Sequence, residues 1–394
     1  MLFGADFDAL IERFSPDKSR PLAIATSGGS DSIALLCLAD DWARRTRRDL
    51  IVLTVDHQLR PDAKAEAEWV AGVCARLSRP HQTLKWSAPR PSQAAARLAR
   101  YELLANAARA QGASCLLAGH TADDVVETAM IRRRRGIRDA SIAGPVLAAP
   151  LPVWPSGRSV TLLRPLIQTQ RADLRAYLKA RHQEWIDDPS NADPSYERVR
   201  IRRFLASHPR LAAIAKSFVH KQQRLRANQQ CALADEMSKV TVDPSGLIDT
   251  GMAEITPALL RLLIRCASGS ALDARDGAVR QMIASLTQPG ARQTLGGAWV
   301  QRAKTGYLIG RDPAQAMVVA EKELFDGRFE RDPTGTLPPL KDLPFLVRQS
   351  APRGPNWREI ISERLAHLVA CYQTPFLEPV QEVQRSEKQL AGLQ

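Results

Sequence analysis

A six-residue loop, Ser27–Ser32 with the sequence SGGSDS, constrains the fold of this chain more than any other feature. It directly follows the apolar run 21–26 and precedes the apolar run 33–38. That order predicts a strand, a glycine-rich turn and then a helix, with free backbone N–H groups and the positive helix end directed at one small volume. Glycines let a ligand approach the backbone closely, and hydroxyls add donors. The loop therefore predicts an anion site made by Ser27, Gly28, Gly29, Ser30, Asp31 and Ser32.

The carboxylate of Asp31 indicates that the anion binds together with a cation. Inside a phosphate cradle it would repel the ligand unless a cation lay between them, so Asp31 indicates Mg²⁺. The chain contains neither the G-x-x-x-x-G-K-[ST] nor the G-x-G-x-x-G pattern, which argues against a Walker NTPase and a dinucleotide-binding protein. An ordinary strand-to-helix connection is the alternative interpretation of a glycine-serine turn.

Length and charge indicate the class of protein and its partner. A chain of 394 residues predicts two or three domains. The net charge of +13, carried mostly by arginine, favours a nucleic acid partner, with a general solubility role as the alternative. The six cysteines are scattered and form no C-x-x-C pair, which argues against a zinc site, an iron–sulfur cluster or a thioredoxin-type pair. Without a membrane-spanning run or signal pattern, we expect a cytoplasmic protein with no membrane partner.

Short apolar runs alternate with helical periods over residues 21–121. Strands are predicted at 22–26, 50–56, 82–87 and 114–119, with helices between them and a surface loop at 139–160. This alternation predicts an α/β fold with a doubly wound parallel sheet, whose ligands bind beyond the carboxyl ends of the strands. We predict an ATP-binding catalytic domain over 1–206, a helical linker over 207–245 and a smaller α+β accessory domain over 246–315. Residues 316–394 are predicted to form a proline-rich linker and a last helix.

Polar residues follow two further predicted strands. Asp56 and His57 end the second one, where they either border the ligand or cap the next turn. His120, Asp123 and Asp124 follow the fourth, within the string GHTADDVVET. Thr121 and Asp124 fit a capping box, but this does not explain His120 or Asp123. Acidic groups beside a polyphosphate could bind Mg²⁺ or receive an amine nucleophile.

Arginines accumulate in two later segments. Arg132, Arg133, Arg134, Arg135 and Arg138 form the densest group, and an arginine-rich stretch follows at 198–203. Such groups contact RNA phosphates without reading sequence. The alternative is a solvated helix face, which the helix dipole favours at a carboxyl-terminal end.

Six strings occur together in one order: SGGSDS, VDHQLRP, ARLARYE, GHTADDVVET, RPL and WIDDPSN. This combination resembles the tRNA(Ile)-lysidine synthases, a family of pyrophosphate-loop ATP pyrophosphatases with an adenine-nucleotide alpha hydrolase-like fold. The resemblance covers about residues 21–203. The chain departs from the family pattern at Val125, Ile137 and Val199, which puts details of substrate positioning in question.

The resemblance implies that ATP adenylates the wobble cytidine of an isoleucine tRNA and that free L-lysine then displaces AMP. Mg²⁺ at Asp31 would assist, Asp56 and His57 would border the adenosine, and His120, Asp123 and Asp124 would line the lysine site. Contacts with the tRNA or its phosphates are expected from Arg97, Arg100, Arg132, Arg133, Arg198 and Arg202. A tRNA thiolase, a small-molecule amide synthetase and an RNA-binding protein with an inactive nucleotide site remain alternatives, and the sequence leaves a homodimer open.

Overall fold

The computed structural model describes residues 4–58, 63–87, 92–137, 140–188, 193–315, 324–331 and 357–373. A six-stranded sheet, in the order β3-β2-β1-β4-β6-β5, forms its centre. All pairings are parallel except that of β5 with β6. Its strands are β1 (Leu22–Ala25), β2 (Leu50–Asp56), β3 (His81–Lys85), β4 (Cys115–Ala118), β5 (Ala148–Pro150) and β6 (Thr161–Leu163). The predicted parallel α/β sheet is confirmed.

Helices cover both faces of this sheet because side chains alternate along each strand. Leu22 and Ile24 of β1 belong to a core that includes residues of the helix after the glycine-rich loop. Ala23 lies on the opposite face, in a second core with Tyr101 and Leu104. The helices are α1 (Gly4–Phe14), α2 (Ser30–Thr46), α3 (Ala63–Leu77), α4 (Gln93–Ala110), α5 (Ala122–Arg134) and α6 (Arg171–Ala180).

The strand order decides where a ligand can bind. β1 lies between β2 and β4, and Ala25 aligns with Leu53 on one side and Ala118 on the other. The chain proceeds outward in one direction through β2 and β3, and in the other through β4. β1 and β4 therefore flank the point where the connectivity reverses, where the loops after the two strands leave a crevice.

Residues 140–160 differ from the surface loop that was predicted over 139–160. A 3₁₀ turn spans Ala140–Ala143, and β5 adds an antiparallel edge strand to β6. Both strands are only three residues long, so neither shows the alternation of polar and apolar residues by which strands are recognised.

A long helix leads from the central sheet to a second sheet. α7 (Glu197–Ser207) is followed by α8 (Pro209–Met237), a single helix across the predicted linker. α9 (Pro257–Ala267) and α10 (Asp276–Ser285) pack on a five-stranded sheet with the order β7-β8-β11-β10-β9. Its strands are β7 (Thr241–Val242), β8 (Ile248–Asp249), β9 (Arg292–Leu295), β10 (Ala298–Arg302) and β11 (Tyr307–Arg311). Among the helices of the described ranges, none is both long and apolar enough to cross a bilayer.

The last described segments connect the two units. A three-stranded sheet joins β12 (Leu324–Phe325), β13 (Phe329–Arg331) and β14 (Trp357–Glu359), and α11 (Ile361–Tyr372) contains the predicted last helix. Glu330 accepts hydrogen bonds from Arg158 on the central-sheet side, while Ile361 is buried in the accessory core. The strands were not predicted. Residues 59–61, Arg138, 189–191 and the proline-rich stretch 333–355, which the sequence also singled out, lie outside the described residues.

Candidate functional site

The glycine-rich loop turns sharply between β1 and α2. Gly28 has a φ of +88°, a conformation that L side chains rarely adopt, and a Cβ there would lie 2.6 Å from Cδ1 of Ile186. The Ile186 N–H donates to the Gly28 carbonyl at 2.9 Å, so the segment around the predicted WIDD string covers the loop. Gly29 is the N-cap of α2 and, having no side chain, makes no capping hydrogen bond. The first-turn N–H groups of α2 therefore face the crevice, as an anion site requires.

Hydroxyls of the loop hold its shape. Ser32 Oγ accepts from the Ser27 N–H at 3.2 Å and donates to the Gly29 carbonyl at 3.0 Å. Ser30 Oγ donates to Asp31 Oδ1 at 3.1 Å. Three of the predicted ligand-binding residues thus also stabilise the turn internally.

Gly119 brings the fourth strand end against this loop. A Cβ at Gly119 would lie 2.9 Å from the backbone oxygen of Asp31, a contact that a rigid backbone cannot relieve cheaply. Because the hydrogen of glycine replaces that Cβ, the segment carrying His120, Asp123 and Asp124 packs beside Asp31. Two strings about ninety residues apart in the sequence become one site.

The capping box predicted for α5 is present. Asp124 Oδ2 accepts from the N–H and hydroxyl of Thr121 at 2.9 and 3.1 Å, and Thr121 Oγ1 accepts from the Asp124 N–H. Burial would raise the pKa of Asp124, but the charge of Arg171 and the Thr121 backbone donor outweigh it, so the pKa is lowered. Asp124 is therefore ionised and rigidly oriented.

Arg171, the first residue of α6, joins the carboxylates. Its guanidinium donates to Asp31 Oδ2 at 2.8 Å and Asp124 Oδ1 at 3.1 Å, and it lies 3.4 Å from Glu127 Oε1. Its backbone N–H donates to Asp123 Oδ2 at 2.8 Å. Burial lowers the pKa of Arg171, but Asp31 and Asp124 more than compensate and raise it. The cation of Arg171 thus holds three acidic side chains in a fixed arrangement, and its backbone N–H holds a fourth.

Asp31 is less favourably placed for ionisation than Asp124. Burial raises its pKa, and the charge and hydrogen bond of Arg171 offset this only in part. A further positive charge near Asp31 would therefore stabilise its carboxylate. This is the environment that a phosphate-bound cation would find.

Glu127 forms a second centre directly behind the first. Its side chain is only 2% exposed, and Arg202 Nε donates to Oε1 at 2.7 Å while Arg198 Nε lies 3.5 Å from Oε2. Arg198 and Arg202, predicted to contact tRNA, therefore lie at the site, where each pairs with Glu127. Their guanidinium groups remain partly exposed, at 47% and 33%.

His120 is half-buried, with its Nδ1 atom enclosed, between acidic and basic neighbours. Burial, reinforced by Arg164 and opposed by Asp124, lowers its pKa to about 3, and Nδ1 has no hydrogen-bond partner among the described residues. The imidazole is neutral at physiological pH. It can donate or accept a hydrogen bond there, but its weak basicity makes it a poor proton acceptor.

Asp56 and His57 lie at the end of β2, next to β1. Asp56 is buried, and its Oδ1 accepts from the Gln58 N–H at 2.9 Å, which is the turn-capping contact of the alternative interpretation. His57 packs edge-on against Trp86, with ring centroids 6.2 Å apart. The rings of His57 and Trp86 therefore lie at the edge of the sheet where the adenosine was predicted to bind.

Among the predicted RNA-contacting arginines, the group at the end of α5 is partly engaged within the protein. Arg132 donates to the Ser141 carbonyl, and the Arg133 guanidinium lies 5.2 Å from the ring centre of Phe218. Arg135 pairs with Glu197 at 2.7 Å. These contacts attach α5 to its neighbours, so this group is not the purely solvated helix face of the alternative interpretation.

Mg²⁺ is compatible with these residues as a phosphate-bound ion. Within the described ranges, no group of three or more His, Cys, Asp or Glu side chains could hold a metal alone. Mg²⁺ commonly uses one or two carboxylates together with substrate phosphates and water. Asp31 would be the protein ligand, and the phosphates would complete the coordination.

None of the six cysteines, all of which lie in the described ranges, forms a disulfide, and all except Cys231 are buried. Burial raises the pKa of Cys37 and Cys74 to about 11 and that of Cys115 and Cys371 to about 12. Such thiols are unreactive at neutral pH.

Sequence reasoning missed Arg171 and Glu127 as site residues. A signal was available for Arg171, because an arginine in the first turn opposes the helix dipole and is unfavourable unless acidic groups surround it. Glu127 gave a weaker signal, as an acidic residue whose burial only the fold reveals.

Two solved structures align with part of the chain at low similarity. A U34-tRNA thiolase from Methanococcus maripaludis with its [4Fe-4S] cluster aligns with a TM-score of 0.45 and 14% identity, over 56% of this chain and 78% of that one. An NH₃-dependent NAD synthetase from Campylobacter jejuni aligns with a TM-score of 0.33 and 11% identity, over 56% and 90%.

Sequence comparisons identify the family. Residues 5–209 match the PP-loop domain. The tRNA(Ile)-lysidine synthase of Hyphomonas neptunium is 37% identical over 314 residues, which is 78% of this chain and 85% of the relative. Those of Caulobacter vibrioides and Rhizobium meliloti are each 36% identical, covering 78% and 79% of this chain and 71% and 72% of the relatives. Together with the loop and the acidic cluster beside it, these matches establish that the chain belongs to the tRNA(Ile)-lysidine synthase family of PP-loop proteins.

Proposed function

We propose that this protein ligates L-lysine to the 2-carbon of the wobble cytidine in an isoleucine tRNA with a CAU anticodon, at the expense of ATP. The observation that carries the proposal is the junction of the glycine-rich loop with the Arg171-linked carboxylates, in a member of this family. A phosphate site and an amine site in contact are what adenylation followed by amine attack requires.

The first step joins the cytidine O2 to the α-phosphorus of ATP and breaks the bond to pyrophosphate. The N–H groups at the start of α2 would bind the phosphates, with Ser27–Ser32 enclosing them. Mg²⁺, when bound through Asp31, would neutralise charge on the phosphate oxygens. Asp56 and His57 would border the adenosine.

The second step joins the ε-nitrogen of lysine to C2 and breaks the C2–O bond to AMP. A carbonyl oxygen leaves poorly and an adenylate leaves well, which is why ATP is needed. Asp123 and Asp124 would hold the lysine ammonium and its proton would pass to Asp123, while the neutral His120 would line the pocket and offer a hydrogen bond. Arg171 would fix these carboxylates, so that little reorganisation is needed when the amine arrives.

The substrate RNA would extend over the basic face. We propose phosphate contacts for Arg97, Arg100, Arg132, Arg133, Arg198 and Arg202, and a cytoplasmic location, where tRNA, ATP and lysine occur together.

The burial of the cysteine thiols argues against a tRNA thiolase. Sulfur transfer in that class commonly uses reactive or cluster-binding cysteines, and five of the six here are buried. An RNA-binding protein with an inactive nucleotide site would not need the ionised, pre-oriented carboxylates beside the loop.

The test combines purified protein, ATP-Mg²⁺, labelled lysine and unmodified isoleucine tRNA with a CAU anticodon. We expect label in the tRNA only with ATP, and none when the wobble cytidine is replaced. AMP formation with another acceptor would contradict the assignment of tRNA as the substrate. An absence of ATP consumption would contradict the assignment of an enzymatic activity. Light scattering on the same preparation would distinguish a monomer from the homodimer that the sequence leaves open.

A further inference from the structure

A second concentration of positive charge lies on the face of the central sheet opposite to α2. Three arginines, which we call the arginine pocket, surround the Tyr101 ring and His120: Arg97, Arg100 and Arg164. Tyr101 belongs to the core on the α4 side, together with Ala23 and Ala118, whereas α2 packs on the other side. The pocket is therefore separate from the glycine-rich loop, and His120 lies near both.

The three side chains form a gradient of exposure. Arg97 is exposed, Arg100 is half-buried, and Arg164 is only 6% exposed. The guanidinium carbons of Arg97 and Arg100 lie 4.9 and 5.3 Å from the centre of the Tyr101 ring. Burial would raise the pKa of Tyr101, but the charges of Arg100, Arg97 and Arg164 outweigh it and lower the pKa, so all three act on one hydroxyl.

The pocket contains buried polar atoms without partners. Arg164 Nε and His120 Nδ1 are buried and have no hydrogen-bond partner within the described ranges, whereas the Tyr101 hydroxyl interacts with the guanidinium groups of Arg100 and Arg164. Arg164 is otherwise held by Nη1, which donates to the Val146 carbonyl at 2.7 Å. Two unpaired polar atoms at one place are costly unless a ligand completes their hydrogen bonds.

The pocket also differs from the site next to it in its charge balance. Arg171, Arg198 and Arg202 each pair with a carboxylate. No carboxylate among the described residues lies within ion-pairing distance of Arg97, Arg100 or Arg164. The three guanidinium groups have no acidic partners and lie at increasing depth from the surface towards the core. Such a set is suited to bind an anion with several oxygens, such as a phosphate.

We propose that the arginine pocket binds one backbone phosphate of the tRNA, next to the nucleotide that reacts. This rests on the proposed function and extends it to a defined subsite that includes the buried Arg164. The phosphates of ATP would bind elsewhere, at the start of α2. A tRNA phosphate bound here would hold the extruded wobble nucleotide beside His120. There the cytidine O2 must approach the α-phosphorus of ATP.

The first test compares two double variants. Arg97→Gln/Arg100→Gln removes two charges from the pocket and spares the buried Arg164. Arg47→Gln/Arg76→Gln removes two exposed charges at the ends of α2 and α3, on the opposite edge of the sheet. We expect the pocket variant to raise the KM for tRNA while the KM for ATP stays unchanged, and to reduce the log–log salt slope of tRNA binding by about 0.7–0.9, the value for one phosphate. A rise in the KM for ATP alone, or equal losses in both variants, would overturn the proposal.

The second test neutralises the phosphate instead of the arginines. Full-length tRNA is prepared with a single methylphosphonate on the 5′ or the 3′ side of the wobble cytidine. We expect one of the two to weaken binding by wild type to about the same extent as the arginine changes, with little further loss when both are combined. Additive losses for both positions would overturn the subsite. Because this test measures binding, it remains decisive if lysine ligation itself fails, and that failure would count against the proposed function alone.

Discussion

Arg171→Gln tests whether one cation holds the acidic site together. The change leaves the side-chain volume similar but removes the charge that faces Asp31, Asp124 and Glu127. The side chains involved are largely buried, with exposures of 16% for Arg171, 18% for Asp31 and 13% for Asp124. Removing one partner of a buried ion pair costs about 3–5 kcal/mol. Because Glu127 keeps Arg202 and Asp124 keeps Thr121, we expect about 3 kcal/mol.

The same helix supplies a matched control. Arg181 makes a two-point contact with Asp41 at 2.7 and 3.1 Å, but the two side chains are 39% and 42% exposed. Arg181→Gln should cost less than about 1 kcal/mol. For a domain of about 200 residues, 1 kcal/mol corresponds to about 2–4 °C, so thermal unfolding followed by circular dichroism should show Arg171→Gln lower by about 6–12 °C.

The pH dependence separates the electrostatic explanation from a packing defect. The lowered pKa of Asp124 contributes stability that is present above its ordinary value of 3.8 and is lost as the pH falls through the folded-state value. Arg171→Gln removes that contribution and raises the carboxylate pKa values. Its deficit should therefore be largest at pH 7.5 and shrink below about pH 5. Equal melting losses for the two arginine variants, or a deficit unchanged at low pH, would refute the reasoning.

Three further outcomes follow from the geometry. Gly119→Ala should displace the Asp31 backbone and lower the rate of ATP-dependent adenylation by about 10-fold or more, which corresponds to about 1.4 kcal/mol of transition-state binding. The control Gly277→Ala, with open space around its Cβ, should retain the wild-type rate. Equal rates for both variants would contradict the close approach of Gly119 to Asp31. Native protein should expose one thiol to an aromatic disulfide reagent, Cys231, and six after denaturation; rapid modification of several native thiols would contradict the burial. The folded-state pKa of His120 is about 3 against an ordinary 6.5, so the unfolded chain binds the proton first and the stability of the wild type falls as the pH drops below about 6.5. Urea unfolding of His120→Gln should therefore show a smaller loss of unfolding free energy between pH 7.5 and 5 than the wild type. An equal loss would show that His120 titrates normally.

Particular residues show how far sequence reasoning reached. The loop Ser27–Ser32 and the string around His120 were each located correctly at a strand end, because glycine-rich turns and helix caps are local and carry a local signature. β5 and β6 were missed because three-residue strands have no period to read. The strands β12–β14 were missed because proline-rich composition nearby favoured a linker. The roles assigned to individual site residues remain predictions.

The sequence by itself determined the parallel sheet, the glycine-rich turn and the family, since these depend on apolar periodicity, on glycine at a turn that other residues strain, and on an ordered set of strings. Only the tertiary structure decided which charges meet. Arg171 is forty residues or more from the carboxylates it joins, and Gly119 brings those carboxylates to the loop only because β4 lies next to β1. It also decided that Arg198 and Arg202 pair with Glu127 while Arg97, Arg100 and Arg164 pair with no described carboxylate. An ion pair depends on distance and burial, and neither is encoded in the separation of two residues along the chain.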